Sequence, residues 1–316
     1  MGTIRAINIS DKKGTSKKPV KQANFIENFG IEGDAHAGRW HRQVSLLSYE
    51  SVKEFEKDLV PTRNIEPGEF GENLLTEGIE LRGIACGTIL RAGDVILKIT
   101  QRGKECHEGC EIRKLTGDCI MPREGVFAEV IRGGIICPGQ EIILENPENS
   151  GSYRAAVVTL SDKASRGERE DKSGPLLSKL LKEQGFDVIE ELILPDDAGQ
   201  IKNNLMRLAD RRDADLIITT GGTGFSERDV TPEATMAVST RNVPGIAEAI
   251  RAESMKYTPK AMLSRAVSVI RNRTLIINLP GSPKAVEESF DIIKEVLSHG
   301  LEILTGRGGE CAGQRT

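Results

Sequence analysis

The sequence predicts two domains, a mostly-β domain followed by an α/β domain with a doubly wound parallel sheet. Its 316 residues are about twice the usual length of one domain. Short β-like runs fill the first half, whereas strand and helix patterns alternate in the second half. The polar stretch Glu145-Asn-Pro-Glu-Asn-Ser-Gly-Ser152 lies between the two patterns and contains no apolar residue. We therefore expect a first domain over 1–146, a linker over 147–152 and a second domain over 153–316.

Composition restricts the classes of function. Hydrophobic residues make up 38% and charged residues 28%, which is typical of a folded globular protein. No run of about 18 apolar residues predicts a membrane span, and the start MGTIRAINIS lacks a signal-peptide core. The net charge is −4 and the aromatic share is 4%, which argues against nucleic-acid binding. We expect a cytoplasmic protein with no nucleic-acid or membrane partner, whose six cysteines are thiols or ligands rather than disulfides.

Six apolar runs in the first half predict strands, and Ser51–Leu59 predicts a helix. The strand runs are Ile4–Ile9, Val44–Leu47, Thr88–Leu90, Val95–Thr100, Phe127–Ile131 and Glu141–Leu144. Many short strands with little helix favour a β-barrel or a folded sheet. Lys12–Lys21 contains five lysines and is interpreted as a solvated, mobile loop, with a phosphate clamp as the alternative.

Strands and helices alternate along the second half. The predicted strands are Ala155–Leu160, Val188–Leu194, Leu216–Thr220 and Leu275–Leu279. The predicted helices are Pro175–Gln184, Gly199–Arg211, a region from Pro232 to Lys256, and Pro283–Leu297. This β-α-β-α order predicts a parallel sheet with helices on both faces.

Glycines, hydroxyls and acids follow each of these strands. Ligands of open α/β sheets bind beyond the carboxyl ends of the strands, so these segments form a candidate site. They are Ser161-Asp162, Asp196-Asp197, Gly221-Gly222-Thr223-Gly224 with Asp229, and Pro280-Gly281-Ser282-Pro283.

The residue types in these segments suit a phosphate. Gly222 and Gly224 would let the backbone approach a phosphate and donate N–H groups to it. Ser173 is a predicted N-cap, and the helix starts at Ser173 and Ser282 are expected anion sites. Asp196 and Asp229 could hold Mg²⁺ against phosphate oxygens. Each feature alone is also common in structural turns and caps, whereas their combination predicts a phosphate-handling site.

The string TTGGTGFSERDVTPEAT at 219–235 resembles the signature of the MogA/MoaB family of molybdenum-cofactor biosynthesis proteins. Ser161-Asp162, Ser173-Gly-Pro175, Ala261–Arg265 and Leu279–Pro283 resemble it too, and the match spans about residues 153–310. The resemblance implies a trimer-forming α/β fold that binds molybdopterin. In MogA-type members it further implies adenylylation of the terminal phosphate of the pterin by Mg-ATP.

This resemblance also implies roles for particular residues. Asp196 and Asp229 match the acids of the family's site, with Asp229 as the expected Mg²⁺ ligand. The implied substrate- and nucleotide-binding residues are Ser161, Asp162, Ser173, Gly174, Gly221, Gly222, Thr223, Gly224, Ser264, Arg265, Pro280, Gly281 and Ser282.

Five of the six cysteines lie in the first half, and the spacing C-H-x₂-C-x₈-C joins Cys106, Cys110 and Cys119. Such a cluster could bind Zn²⁺ or another soft metal. Buried or incidental thiols are the alternative. A third interpretation is a reactive Cys106, since Arg102, Lys104 and His107 are close in sequence and would favour its thiolate.

Four motifs in the first half resemble a MOSC domain, a family similar to the C-terminal domain of molybdenum-cofactor sulfurases. The motifs are GIEGDAHAG at 30–38, RQVSL at 42–46, PGEFGENL at 67–74 and TQRGKEC at 100–106, within a match over about residues 3–145. The resemblance implies a mostly-β fold that carries sulfur or binds molybdenum cofactor through one cysteine. Cys106 is the matching position, although Gly-Lys-Glu-Cys stands here where the family has Pro-Cys. His36 and Arg42 are expected cofactor contacts, with simple solvation as the alternative.

The two resemblances together predict a molybdopterin adenylyltransferase with an accessory MOSC domain. A non-catalytic molybdopterin carrier or scaffold, and a sulfur carrier acting through Cys106, are the alternatives. The expected cofactors are Mg²⁺, ATP and molybdopterin, with molybdenum or Zn²⁺ on Cys106 and Cys110 as a further option. The expected partners are molybdenum-insertion or sulfurtransferase proteins, and the expected assembly is a homotrimer.

Overall fold

Two compact units make up the chain, Met1–Ser150 and Gly151–Thr316. The computed structural model describes residues 1–59, 63–104, 118–145 and 152–307. Within those ranges, no helix is both long and apolar enough to cross a membrane.

Short strands dominate the first unit. In its described residues they are β1 (Gly2–Ile9), β2 (Lys18–Val20), β3 (Ala23–Ile26), β4 (Gly30–Ile31), β5 (Val44–Ser48), β6 (Leu74–Glu77), β7 (Ile89–Ala92), β8 (Val95–Arg102), β9 (Val126–Arg132), β10 (Gly134–Ile136) and β11 (Glu141–Glu145). Helices α1 (Tyr49–Lys57) and α2 (Met121–Glu124) accompany them.

A closed barrel is built from seven of these strands, in the order β11-β7-β8-β9-β5-β6-β1. It closes because Gly2 and Thr3 of β1 pair with Ile142 and Glu141 of β11. Strand β2 extends β1 on the outside, and β10, β3 and β4 form a separate small sheet. Side chains that alternate inward along the strands fill the barrel, which confirms the predicted barrel-like fold class.

Each of the six predicted strands of this unit is observed, and β2, β3, β4, β6 and β10 were not predicted. These additional strands are at most four residues long, so they contain too few positions for a two-residue alternation to be recognised. Helix α1 begins two residues before the predicted start, because the Ser48 hydroxyl accepts a hydrogen bond from the Ser51 amide at 3.1 Å.

The interpretation of Lys12–Lys21 as a solvated loop is wrong at its centre. The Lys17 side chain is fully buried and its ammonium pairs with the equally buried Asp34 carboxylate. The Lys17 amide also donates to the Gly68 carbonyl at 2.8 Å, and residues 18–20 form β2. A buried lysine needs a nearby anion, and residue composition alone does not reveal the distant Asp34.

The second unit contains a sheet and its helices. The strands are β12 (Arg154–Leu160), β13 (Asp187–Leu194), β14 (Leu216–Thr220), β15 (Arg241–Asn242), β16 (Ser268–Arg271) and β17 (Thr274–Leu279). The helices are α3 (Asp162–Ser165), α4 (Ser173–Glu183), α5 (Ala198–Asp210), α6 (Thr231–Ala237), α7 (Pro244–Ser254) and α8 (Pro283–Thr305), with a 3₁₀ helix at Pro259–Leu263.

The sheet is mixed, in the order β13-β12-β14-β17-β16-β15. The four predicted strands are mutually parallel, as expected. The edge differs from the prediction, because β16 runs antiparallel to β17 and β15 antiparallel to β16. A two-residue turn at Asn272 and Arg273 reverses the chain there, with Asn272 at a φ of 52°. The predicted helical region from Pro232 to Lys256 is divided into α6 and α7 by β15.

Helices cover both faces of this sheet, which makes the unit a doubly wound α/β fold. Ala155 and Val157 of β12 pack with α4, α7 and α8, whereas Ala156 and Val158 pack with α5 and α6. Each buried Leu, Ile or Val contributes roughly 1.5–3 kcal/mol to such a core. The alternation along β12 therefore fixes which helices lie on which face.

Candidate active site

A cavity of about 860 Å³ opens at the carboxyl ends of β12 and β14. The chain passes from β12 to β13 on one side and reaches β14 on the other, so this edge is a topological switch point. Of the residues implied by the sequence, the cavity lining includes Ser161, Ser173, Asp196, Gly221, Gly222, Thr223, Gly224, Asp229, Gly281 and Ser282.

Five other implied residues lie outside that lining: Asp162, Gly174, Ser264, Arg265 and Pro280. The Asp162 amide donates a hydrogen bond to Asp196 Oδ2 at 3.0 Å. The Pro280 carbonyl accepts a hydrogen bond from the Thr220 hydroxyl at 2.7 Å, and Ser264 ends the 3₁₀ helix. Asp162 and Pro280 therefore contact residues that line the cavity.

The loop Gly221–Gly224 requires its first two glycines. Gly221 and Gly222 have φ values of 101° and 62°. A Cβ on Gly221 would lie 2.4 Å from the Leu160 carbonyl oxygen, and one on Gly222 would lie 2.3 Å from Thr231 Oγ1. Within the described part of the chain, the amides of Gly222, Thr223 and Gly224 have no protein acceptor. The loop therefore presents three backbone donors next to the cavity.

Arg265 anchors this loop from outside the cavity. Its Nε donates to the Gly224 carbonyl at 2.7 Å, and its amide donates to the Thr223 carbonyl at 2.9 Å. Its two terminal nitrogens contact the Asp229 carbonyl and the Glu233 carboxylate. In this geometry Arg265 positions the loop rather than facing the cavity.

Carboxylates lie close to this loop, since a Cβ on Gly222 would be 3.1 Å from Asp196 Oδ1 and one on Gly224 would be 2.9 Å from Asp229 Oδ2. Asp162 and Asp196 bond reciprocally, each accepting the other's amide at 3.1 and 3.0 Å. Arg228 binds both oxygens of Asp162, at 2.8 and 2.9 Å from Nη2. Burial, followed by the charges of Asp162 and Asp229, raises the pKa of Asp196. A cation at Asp196 would relieve this repulsion.

The carboxylates of Asp196 and Asp229 are suitable ligands for one shared Mg²⁺. Asp229 is held by the Ser226 amide, which donates to its Oδ2 at 2.9 Å. In the described part of the chain, no group of three or more His, Cys, Asp or Glu side chains is arranged to hold a metal alone. Mg²⁺ typically takes one or two carboxylates and completes its shell with substrate phosphates and water. Asp196 and Asp229 suit that partial role.

The first turn of α4 differs from the prediction. Ser173 is not the N-cap: the Asp171 Oδ1 accepts the amides of Ser173 and Gly174, both at 3.0 Å. The Ser173 hydroxyl instead donates to the Gly281 carbonyl at 2.8 Å. The predicted anion site at this helix start is therefore already occupied by a carboxylate of the chain. The sequence indicated a cap here, but Asp171 lies two residues before Ser173 and acts from outside the helix.

The α8 start agrees with the prediction, since the Ser282 hydroxyl accepts the Ala285 amide at 3.3 Å. Another hydroxyl in the cavity lining, Thr159 Oγ1, is buried and has no hydrogen-bond partner among the described residues. A buried hydroxyl without a partner costs free energy, so a polar ligand in the cavity would stabilise this region. A Cβ at Gly174 would approach that hydroxyl to 2.6 Å, which explains the glycine.

In the first unit, His36 lies above a buried charge pair. Lys17 Nζ is 3.2 Å from His36 Nδ1, and the His36 amide donates to Asp34 Oδ2 at 3.0 Å. Burial would raise the pKa of Asp34, but hydrogen bonds from His36 and Lys17 lower it well below its usual range. The ring of His36 is thereby held at the edge of a fixed ionic network.

Arg42 lies 4.7 Å from the Trp40 ring centroid, and the Trp40 indole donates to the His36 carbonyl at 2.8 Å. His36 and Arg42 are thus linked through Trp40 on one side of the unit. Cys106 and Cys110, the implied sulfur-carrier and metal-ligand positions, lie outside the described residues. Cys119, the third thiol of that spacing, is buried.

The cavity lining also contains residues that sequence reasoning did not assign to the site, among them Thr159, Arg169 and Asp171. Thr159 lies near the carboxyl end of β12. The two-residue alternation of a strand could have indicated that its side chain and that of Leu160 point to opposite faces of the sheet. Arg169 and Asp171 lie in a charged loop, RGERED, whose charges gave no signal of which side chains point inward.

Comparison with known proteins places both units. A family model described as a probable molybdopterin binding domain matches residues 156–299, and a MOSC domain model matches residues 32–143. Molybdopterin adenylyltransferase of Escherichia coli K12 is 41% identical over 157 residues, covering 48% of this chain and 80% of that protein. The Helicobacter pylori J99 molybdopterin adenylyltransferase is 40% identical over 152 residues, covering 48% and 86%. The solved structure of the molybdopterin biosynthesis enzyme MoaB from Thermus thermophilus has 45% identity and a TM-score of 0.47, covering 49% of this chain and 97% of its own.

Proposed function

The chain belongs to the family of probable molybdopterin binding domains, is related to molybdopterin adenylyltransferases and also carries a MOSC domain. From this premise we propose that the protein is an adenylyltransferase. Its general place in molybdenum-cofactor biosynthesis follows from that membership. The second unit would transfer an adenylyl group from Mg-ATP to the terminal phosphate of molybdopterin.

One observation carries this proposal: phosphate-binding and metal-binding groups converge on a single cavity. The donor amides of Gly222–Gly224 and the carboxylates of Asp196 and Asp229 line the same 860 Å³ space. In addition, Thr159 provides a buried hydroxyl that has no partner in the described part of the chain. This set suits a ligand with several phosphate groups and a polar organic part.

Adenylyl transfer needs little covalent chemistry from the protein. A phosphate oxygen of molybdopterin attacks the α-phosphorus of ATP and forms a new P–O bond. The bond from that phosphorus to the bridging oxygen breaks, and pyrophosphate leaves with the electron pair. A phosphate oxygen is already anionic at neutral pH, so the protein need only align the reactants and stabilise charge.

The chain's residues would divide those tasks. The amides of Gly222, Thr223 and Gly224 would bind phosphate oxygens, and Arg265 would keep their loop in place. Asp196 and Asp229 would hold Mg²⁺, which supplies positive charge to the phosphate oxygens when it is bound. Asp162 and its partner Arg228 would orient Asp196.

A radiolabel assay tests the proposal. The full chain is incubated with Mg²⁺, molybdopterin and ATP labelled at the α-phosphate, and labelled adenylyl-pterin is measured. We expect labelled pterin that requires both Mg²⁺ and molybdopterin. Tight binding of both ligands without label transfer would instead support the alternative of a non-catalytic carrier or scaffold.

For the first unit, we propose binding of the mature cofactor, of molybdenum or of sulfur carried on Cys106. The exposed edge of His36, fixed by Lys17 and Asp34, and the nearby Arg42 support an anionic ligand there. Alkylation at neutral pH, read by mass spectrometry, compares Cys106 with Cys137. Rapid labelling of Cys106 supports a sulfur carrier, and labelling only after chelation supports Zn²⁺ or molybdenum with Cys110. Equal labelling of both cysteines under all conditions contradicts both roles.

We also propose a homotrimer and exchange with molybdenum-insertion or sulfurtransferase proteins. Large apolar side chains remain exposed on the second unit, among them Phe225 at 69%, Tyr257 at 67% and Met262 at 62%. Apolar side chains of this size are commonly covered in assemblies.

A further inference from the structure

The cavity of the second unit contains few positive charges of its own. Among the described residues that line it, Arg169 and Lys172 are the cationic side chains, against Glu170, Asp171, Asp196 and Asp229. A triphosphate carries up to four negative charges, and one Mg²⁺ neutralises two of them. A cationic side chain is therefore needed where the remaining phosphate charge lies.

Arg169 is tethered at the cavity, whereas Lys172 is not. The Arg169 Nη2 donates to the Ser161 hydroxyl at 2.9 Å, and Ser161 is buried at the carboxyl end of β12. That hydroxyl also accepts the Ala164 amide, so it is fixed by α3. Lys172 is exposed and lies 3.9 Å from the equally exposed Glu170.

Other cationic groups near the site are engaged elsewhere. Arg228 binds Asp162, and Arg265 binds Glu233 and the loop carbonyls. The amides at the start of α4 are bound by Asp171. By contrast, none of the ion pairs found in residues 152–307 includes Arg169, and one contact fixes its guanidinium while leaving further N–H groups for a ligand.

We propose that Arg169 binds the β- and γ-phosphates of ATP and stabilises the leaving pyrophosphate. The inference rests on the proposed function and assigns it a further residue. As the bond between the α-phosphorus and the bridging oxygen breaks, negative charge accumulates on the departing oxygen. The Arg169 guanidinium, fixed by Ser161, presents paired N–H donors to that charge.

The test is a binding comparison on the full chain in the presence of Mg²⁺. Three probes are used: ATP, AMP and inorganic pyrophosphate. The variant is Arg169→Gln, and the matched control is Arg166→Gln on the same loop. Arg166 pairs with Glu168 at 2.7 Å and does not line the cavity.

We expect Arg169→Gln to weaken ATP and pyrophosphate binding by about tenfold or more, since a charge-assisted contact is lost. AMP binding should change by less than about twofold, because AMP lacks the β- and γ-phosphates. Arg166→Gln should bind all three probes like the parent. Arg169→Lys should retain part of the affinity, because charge remains while the paired donors are lost.

Two results would overturn the inference. In the first, Arg169→Gln binds ATP and pyrophosphate as Arg166→Gln does. In the second, it loses ATP and AMP equally, which would indicate that Arg169 only holds Ser161. If the parent binds pyrophosphate through Arg169 but binds no ATP, the proposed function fails while the anion site stands.

Discussion

Asp196 illustrates how a single residue acquires its character from its neighbours. Its carboxylate bonds to the Asp162 amide at 3.0 Å and lies near the charges of Asp162 and Asp229. Burial and these charges together raise its pKa, so the site stores electrostatic repulsion. That repulsion favours a cation, which is the physical basis for the proposal that Mg²⁺ binds at this edge of the sheet.

Asp229→Asn should remove adenylylation while leaving the fold intact. Loss of one metal-binding carboxylate should lower the rate on the order of 10²-fold or more. The label-transfer assay measures this, and circular dichroism checks the fold. Asp197→Asn is the matched control, because Asp197 caps α5 outside the cavity and asparagine caps equally well. An Asp229→Asn variant as active as that control would show that the acid is misassigned.

Glu72 in the first unit should make stability depend on pH. Burial raises its pKa from an ordinary value of 4.5 to about 7. Within the residues that the structure describes, its Oε2 and the Asn8 Oδ1 have no hydrogen-bond partner. The folded state therefore binds a proton that the unfolded state has already lost between pH 4.5 and pH 7. Stability is fully present below pH 4.5 and falls as pH rises to about 7.

Glu72→Gln should remove this dependence, because glutamine resembles the protonated carboxyl. Its advantage over the parent should grow between pH 4.5 and 7, and level off at roughly 3 kcal/mol. Urea unfolding followed by fluorescence of Trp40, the one tryptophan in the sequence, reports on this unit. The exposed Glu66→Gln is the control. Identical pH profiles for the parent and Glu72→Gln would contradict the assignment.

At the scale of an element, the start of α4 depends on a residue outside the helix. Asp171 accepts the amides of Ser173 and Gly174, and it thereby fixes the wall of the cavity beside Thr159. Ser173 ties the same turn to the Gly281 carbonyl. One short segment thus sets both the helix start and its contact with the loop before α8.

Asp171→Ala should destabilise this helix start by about 1 kcal/mol, as expected for a lost cap. Hydrogen exchange at the amides of Ser173 and Gly174 should accelerate accordingly. Asp171→Asn should behave much like the parent, and Ser173→Ala should leave those two amides protected. If Ser173→Ala accelerated their exchange and Asp171→Ala did not, the cap would belong to Ser173 after all.

At the scale of the whole molecule, domains of two different families share one chain. A MOSC domain model matches residues 32–143 and a probable molybdopterin binding domain matches 156–299. Fusion of two domains raises the effective concentration of one for a product of the other. Such a gain would matter if the first unit binds the product that we propose for the second unit.

The proposed trimer gives a direct prediction for the whole molecule. Light scattering on the purified protein should give about three times the chain mass of 34.5 kDa. The physical reason is that assembly would bury the apolar side chains of Phe225, Tyr257 and Met262, which are exposed to water in the single chain. A single species of chain mass, unchanged across protein concentration, would contradict the trimer.

The sequence alone predicted six strands of the first unit and the four parallel strands of the second, because hydrophobic periodicity and glycine-proline punctuation are local signals. The barrel-like first domain, the doubly wound second domain and the loop Gly221–Gly224 were predictable for that reason. The positions of Asp196 and Asp229 in the cavity lining were predictable because both residues follow parallel strands, whereas their roles stay predictions. The role of Cys106 as a sulfur carrier or metal ligand stays a prediction from the sequence.

The tertiary structure decided what depends on partners distant in sequence. In the folded chain Lys17 is buried and pairs with Asp34, and β16 runs antiparallel to β17. The first amides of α4 are capped by Asp171 and not by Ser173. Arg169 donates a hydrogen bond to Ser161, and Arg265 donates one to the Gly224 carbonyl of the loop Gly221–Gly224. Electrostatic pairing and burial act through space, so composition and spacing could not reveal which charged side chains face the cavity.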